Sequence, residues 1–155
     1  MEERKGNLNK NTIKLFSSKK TDDWGTPSKL YRELDNEFHF DLDPCPLESK
    51  FNGLEIDWKG NIFVNPPYSQ VSKWLEKAHQ ELQKGNSKII VFLVFANTDT
   101  EWFHKYVYHK AEIRFLKGRV KFVGNSNAGA MRPSILAIFR KKERRINGNP
   151  TNHQP

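Results

Sequence analysis

The chain has a single cysteine, Cys45, so no internal disulfide can staple the fold, and a reducing, cytoplasmic setting is expected. No apolar run approaches the ~20 residues that cross a bilayer, and no membrane partner is expected. The opening Met1-Glu2-Glu3-Arg4-Lys5 lacks the apolar segment of a signal peptide. Five scattered histidines and the lone cysteine give no zinc spacing, and no metal is expected. The central part of the chain also lacks net charge. The formal +8 sits at the two ends, +4 within residues 1–20 and +4 within residues 140–155. Basic ends of this kind favour phosphate and speed encounter with nucleic acid. The plain alternative is that lysine-rich ends only keep the protein soluble.

What remains is a globular composition, 36% hydrophobic with eleven Phe and four Trp, sized for one core. Residues 1–21 and 142–155 read as basic tails around a body at 22–141. Within the body, Thr26-Pro27 reads as a helix cap with proline at the first helical position, followed by Leu30, Tyr31, Leu34 and Phe38 at helical spacing. Phe38–Leu42 alternates as a short strand ending at Asp43-Pro44. Residues 45–60 look irregular, and Ile62–Val64 is a buried strand. Val71, Trp74, Leu75, Ala78 and Leu82 then mark one face of a helix stopped by Gly85. Lys88–Ala96 is apolar enough for a central strand covered on both faces. A helix over Thr98–Tyr108, capped by Thr98 or Asp99, follows. Three strand candidates close the body, at Glu112–Phe115, Val120–Val123 and Ile135–Phe139. The fold class is α/β, a sheet with an antiparallel end.

The most informative residues are Asn65-Pro66-Pro67-Tyr68, directly after Ile62–Val64. The prolines stiffen the turn and remove two backbone donors, leaving carbonyls free to accept. Asn65 and Pro66 can both accept from an exocyclic amino group, and Tyr68 offers a ring to stack on an extruded base. A turn that merely ends a strand is the plain alternative. Asp41 and Asp43-Pro44 end a strand where ligands of open α/β sheets bind, and either carboxylate can accept from a ribose or pair with an ammonium. Asp57 could accept from an adenine amino group and Trp58 could wall an adenine pocket, although core packing is the commoner fate of tryptophan. The Asn97–His104 run begins where the central strand ends, so Thr98 and its neighbours are expected beside the Asn65–Tyr68 turn. His104 is read as surface or packing. Arg119, in a Gly118 turn, and Arg132, in the Asn125–Pro133 loop, are candidates for substrate contacts.

These blocks together resemble the phage-type, Dam-like DNA N6-adenine methyltransferases. Trp24-Gly25-Thr26-Pro27, Asp41-Leu42-Asp43-Pro44, Asp57-Trp58, Asn65-Pro66-Pro67-Tyr68-Ser69, Thr98–His104 and Phe115–Phe122 follow that family's order. The resemblance implies a Rossmann-like class I methyltransferase sheet, S-adenosylmethionine as donor, and adenine N6 in DNA as acceptor. It implies a soluble enzyme of a phage or prophage, working in the bacterial cytoplasm. It implies that Asn65, Pro66, Pro67 and Tyr68 carry catalysis. Trp24, Thr26, Pro27, Asp41, Asp43, Pro44 and Asp57 would hold the cofactor, and Ser69, Thr98, Arg119 and Arg132 the substrate. The chain departs from the family where a Gly-rich loop normally follows the Asp-Pro pair: it reads Cys45-Pro46-Leu47-Glu48-Ser49 instead. Only about twenty residues separate Asp43 from Asn65, so the sheet is expected to be shortened there. No separate target-recognition domain is evident. Two other readings compete with the DNA-adenine enzyme. One is the same chemistry on another planar nitrogen, such as a protein glutamine, RNA guanine or DNA cytosine. The other is a degenerate, non-catalytic fold that binds nucleic acid.

Overall fold

The structure, a computed structural model, describes residues 24–124 and 129–142. The expected tails at 1–21 and from 143 onward, and residues 125–128, lie outside the described residues. Helix α1 (Ser28–Phe38) is followed by β1 (Gly60–Val64), a 3-10 turn (Tyr68–Gln70), α2 (Val71–Lys84) and β2 (Ser87–Phe95). A π-helical turn (Phe103–Val107), β3 (Glu112–Phe115) and β4 (Ser134–Arg140) complete the order. The sheet runs β1-β2-β4-β3. β1 and β2 are parallel, and β4 pairs antiparallel with both β2 and β3. The α/β sheet with an antiparallel end is therefore as expected.

Strand periodicity puts alternate residues on opposite faces, and both faces are covered. Ile62, Val64, Ile90, Phe92, Val94, Ile135 and Phe139 meet Val71, Trp74, Leu75 and Ala78 of α2. Phe63, Val91, Leu93, Leu136 and Ile138 meet Leu34 and Phe38 of α1. A strand buried on both sides has no reason to alternate, which is why β2 reads as a continuous apolar run.

Four expected elements differ. Phe38–Leu42 is not a strand, because α1 runs through Phe38 and ends at His39 with φ 52. The Asp35 carbonyl accepts from His39 N–H and the Asp35 carboxylate from Phe40 N–H, which closes the helix end. Of this stretch, Asp41 N–H donates to the Asn61 carbonyl at 2.7 Å and Leu42 forms a lone parallel bridge to Ile62. Val120–Val123 is not a strand either. β3 already occupies the edge beside β4, so Val123 pairs instead with Gly25, exchanging two backbone bonds of 2.9 and 2.8 Å. The helix expected over Thr98–Tyr108 starts later: Thr100 Oγ1, not Thr98 or Asp99, accepts from the Phe103 N–H at 3.4 Å. At α1 the N-cap position is Pro27 itself, with no side-chain cap, because the Thr26 hydroxyl is engaged elsewhere.

The segment between Leu42 and β1 explains how so short a connection can close. Gly53 lies against Pro44 so tightly that an added Cβ would sit 1.9 Å from the Pro44 carbonyl oxygen. Its own carbonyl accepts from Trp58 Nε1 at 2.9 Å. Residues 45–57 thus fold back over Pro44 and anchor on a tryptophan that is fully buried against Trp74. The β1 entry is equally crowded. Gly60 has φ 84, and a Cβ there would lie 2.1 Å from Asp41 Oδ2, so only glycine fits.

Candidate functional site

Three chain segments end at one edge of the sheet. Asn65 follows β1, Asn97 follows β2, and Arg132 precedes β4, whose first residue Ser134 pairs with Phe95 at the end of β2. Asp43 reaches the same edge one residue past the Leu42–Ile62 bridge. The topology therefore gathers residues 43, 65, 97 and 132 at the carboxyl ends of the parallel strands, where open α/β sheets bind ligands.

Asn65 is fixed from its amide nitrogen. Nδ2 donates to the Trp24 carbonyl at 2.7 Å and to Thr26 Oγ1 at 3.1 Å. A carbonyl can only accept, so the NH2 must face Trp24 and Oδ1 must face away. The N-terminal segment is held in place to do this by the Gly25–Val123 bridge. Pro66 is buried, and among the described residues no backbone N–H reaches its carbonyl. Two acceptors, Asn65 Oδ1 and the Pro66 carbonyl, therefore stand at one turn.

An aromatic wall adjoins them. The pocket at this turn is lined by Trp24, Asn65, Pro66, Tyr68, Val71, Leu93, Val94, Phe95 and Phe122. The Trp24 ring lies 6.2 Å from Phe95 and 5.8 Å from Phe122. Tyr68 rests on Phe95 at 5.0 Å and is 39% exposed. Its hydroxyl accepts from Asn97 Nδ2 and from Arg132 Nη1, the latter at 2.8 Å. The Asn97 side chain also accepts from Arg132 at 3.1 Å.

The second part of the edge is acidic. Asp43 Oδ1 accepts from Cys45 N–H at 2.9 Å. Burial outweighs that bond and pushes the Asp43 carboxyl up to about 6. Tyr31 lies close enough that burial, with the charges of Asp35 and Asp43, pushes its phenol up as well. A half-buried carboxylate with one oxygen engaged by a backbone N–H fits a ligand that brings a cation or hydroxyls.

Residues 14–151 match the family described as DNA N-6-adenine-methyltransferase (Dam). The chain belongs to this family. The DNA N-6-adenine-methyltransferase of Escherichia phage T1 is 26% identical over 139 residues, covering 81% of this chain. The match spans 58% of the length of that relative. Among solved structures, a chain assigned as an RNA methyltransferase of Pyrococcus horikoshii aligns over 59% of this chain and 48% of its own length, at 17% identity and a TM-score of 0.42. The Dam-family chain has a mixed α/β sheet, four-stranded among the described residues, with antiparallel C-terminal strands and a short connection before β1. No helix among the described residues is long and apolar enough to cross a membrane.

The structure brings together Asn65, Pro66, Tyr68, Trp24, Thr26 and Arg132; Asp43 shares their sheet edge by its position one residue past the Leu42–Ile62 bridge, and Pro44 lies buried beside it. Thr26 and Trp24 serve Asn65 directly. Pro27 opens α1, its carbonyl accepting from Tyr31 N–H at 3.0 Å, and the Pro67 carbonyl accepts from Gln70 N–H at 3.0 Å to start the 3-10 turn that holds exposed Ser69. Thr98 is exposed beside Asn97, and its carbonyl accepts from His104 Nε2 at 2.7 Å, a strap within the loop. Arg119 is exposed next to Gly129, and no carboxylate pairs with it among the described residues.

Two expected cofactor residues do not join the others. Asp41 Oδ2 accepts from Asn61 N–H at 2.8 Å and holds the entry to β1. Asp57 precedes β1, at the opposite edge from Asn65, and pairs with Lys84 at 3.2 Å. Its neighbour Trp58 is a core residue with no exposed surface. Sequence reasoning did not single out Phe95, Phe122 or Tyr31 as site residues, and it placed Asn97 beside the turn only as the first residue of the Asn97–His104 run. Phe95 and Tyr31 fit the apolar periodicity of their elements, so nothing distinguished them. Asn97 carried a signal: a polar residue immediately after a wholly apolar strand.

Proposed function

We propose that this chain transfers a methyl group from S-adenosylmethionine to the N6 amino group of adenine in DNA. The orientation of Asn65 is the observation that carries this reading. An adenine amino group is a poor nucleophile because its lone pair is delocalised into the ring. Asn65 Oδ1 and the Pro66 carbonyl supply two acceptors for its two hydrogens. Accepting both draws the nitrogen toward tetrahedral geometry and localises the lone pair, so catalysis is orientation and electrostatics. No side chain has to act as a strong base, in keeping with the bonding of His104 to the Thr98 carbonyl.

The cofactor supplies an electrophilic methyl on a sulfonium. Asp43 is the residue of this chain best suited to hold its ammonium or ribose hydroxyls, since a cation or donor relieves a carboxylate raised by burial. The Tyr68 ring, half on Phe95 and half exposed, is suited to stack on a base taken out of the helix. Arg119, Arg132 and the basic ends supply phosphate contacts. Ser69 and Thr98, exposed at the same edge, fit the rim of the substrate site.

The test is mass spectrometry of nucleosides from DNA incubated with the protein and methyl-labelled S-adenosylmethionine. N6-methyl-2′-deoxyadenosine in the digest is the expected result. Label on protein glutamine with none on adenine overturns the acceptor. Absence of any transfer, with cofactor binding absent in calorimetry, overturns the enzyme reading.

A further inference from the structure

We infer that Asn97 is a positioning residue for the Tyr68 ring, acting through the Tyr68 hydroxyl, with Arg132 setting the orientation of its amide. The inference rests on the proposed stacking of Tyr68 on a base and says how that ring is held ready.

The Asn97 backbone is fixed independently of its side chain. Its N–H donates to the Phe95 carbonyl at 2.9 Å, and its carbonyl accepts from Thr100 N–H at 3.2 Å and Thr100 Oγ1 at 2.7 Å. The side chain is 8% exposed and directed at Tyr68 and Arg132. A guanidinium has donors and no acceptor, so the atom at 3.1 Å from Arg132 Nη1 must be Asn97 Oδ1. That leaves Nδ2 for the Tyr68 hydroxyl. Arg132 reaches the same hydroxyl at 2.8 Å, so all three side chains form a closed triangle.

Tyr68 needs such a tether. It lies in a three-residue 3-10 turn, and among the described residues Phe95 is its one aromatic ring contact. An exposed tyrosine loses rotamer freedom when it stacks on a ligand, and that loss weakens binding. Fixing the hydroxyl sets both side-chain torsions before DNA arrives. The arrangement also ties the ring to the end of β2, so the stacking surface and the Asn65 acceptors are referred to adjacent strands of one rigid sheet.

The test is a double-mutant cycle on full-length protein, Asn97→Ala against Tyr68→Phe, read as kcat/KM for DNA methylation. Asn97→Ala removes the Asn97 bond to the Tyr68 hydroxyl together with the bond it accepts from Arg132, and Tyr68→Phe removes both bonds to that hydroxyl. Because both changes act on the one ring, each should lower kcat/KM by about tenfold, with KM for S-adenosylmethionine unchanged. The double variant should also lie near tenfold, because Asn97 has no hydroxyl left to act through. A double variant near a hundredfold, or a single Asn97→Ala within twofold of wild type, overturns the inference. If Asn97→Ala does not fold, Asn97→Ser keeps a small polar side chain too short to reach Tyr68 and enters the same cycle. A second arm needs no DNA. In protein labelled with 13C at its four tyrosines, the Tyr68 ring signal should shift and broaden in the Asn97 variant. An unchanged Tyr68 signal overturns the tether, whether or not the wild type methylates DNA. A wild type that shows no transfer defeats the proposed function alone.

Discussion

Asn65→Asp is a near-isosteric change that this site should not tolerate at neutral pH. The Trp24 carbonyl lies 2.7 Å from the amide nitrogen of Asn65, and Thr26 Oγ1 lies at 3.1 Å. A carboxylate puts an oxygen where that nitrogen was. Thr26 can adapt, since its hydroxyl rotates to donate. The Trp24 carbonyl cannot, and two acceptors then face each other at hydrogen-bond distance. One missing bond is worth about 1 kcal/mol and an unsatisfied acceptor pair about 1–3 kcal/mol more. Together they predict a fall in kcat/KM of roughly thirtyfold to a thousandfold at pH 8. Protonation repairs the defect, because a neutral carboxyl can donate to Trp24. The introduced carboxyl should therefore have a raised pKa, and its protonated form should dominate as the pH falls through that value. The assay is label transfer to DNA across pH 5.5–9, reported as the ratio of variant to wild type so that other titrations cancel. The ratio should climb by about tenfold or more toward low pH. A flat ratio, with the variant within threefold of wild type at pH 8, would refute the claim that Trp24 dictates the orientation of Asn65.

Asp43→Asn should stabilise the free protein and weaken cofactor binding. A carboxyl raised from 3.8 to about 6 by burial opposes folding when ionised, so wild-type stability should rise as pH falls from above 6 to below 4. The variant should lose that slope in thermal melts and gain up to about 3 kcal/mol at pH 8, while calorimetry shows weaker S-adenosylmethionine binding; unchanged affinity would remove Asp43 from the cofactor site. Asp57→Asn should leave cofactor affinity untouched, whereas Trp58→Ala should destabilise the fold by about 3–5 kcal/mol in denaturant melts; the reverse pattern would restore the adenine-pocket reading of that pair. Deleting residues 1–20 and 143–155 should lower the slope of log affinity against log salt by about 0.9 for every phosphate that the tails neutralise; an unchanged slope in anisotropy titrations would assign DNA binding to the body, with Arg119 and Arg132 the next candidates.

The sequence read well where a segment's chemistry was settled by itself or its immediate neighbours. Helix α2 was legible from Val71, Trp74, Leu75 and Ala78 and ends at Gly85 as its pattern demands. The apolar run of β2 announced a strand covered on both faces. It read poorly where distant partners decided. Val123 has strand-like neighbours, yet it pairs with Gly25, nearly a hundred residues earlier. Thr26 looks like a helix cap, yet its hydroxyl serves Asn65 across 39 positions. Asp41 and Asp43 are two residues apart and indistinguishable by type. One is engaged by the backbone of Asn61, and the other is left half-buried at the ligand edge. Asp57 could be placed at the wrong edge only by knowing the direction of β1.

The same long-range dependence governs the site itself. The tetrapeptide Asn65–Tyr68 supplies the chemistry, but nothing within it determines which atom of Asn65 faces a substrate or how the Tyr68 ring is turned. Asn65 is oriented by Trp24 and Thr26 from before α1, and Tyr68 by Asn97 after β2 and Arg132 before β4. Those anchors arrive at the turn only once Gly25 has bridged to Val123 and β4 has docked antiparallel on β2. An isolated turn of this sequence would leave the asparagine amide free to present either atom and the tyrosine free to swing. Pre-organisation is thus a property of the closed sheet. The folded-back segment over Pro44, secured by Gly53 and Trp58, is what lets a sheet with so short an approach to β1 close at all.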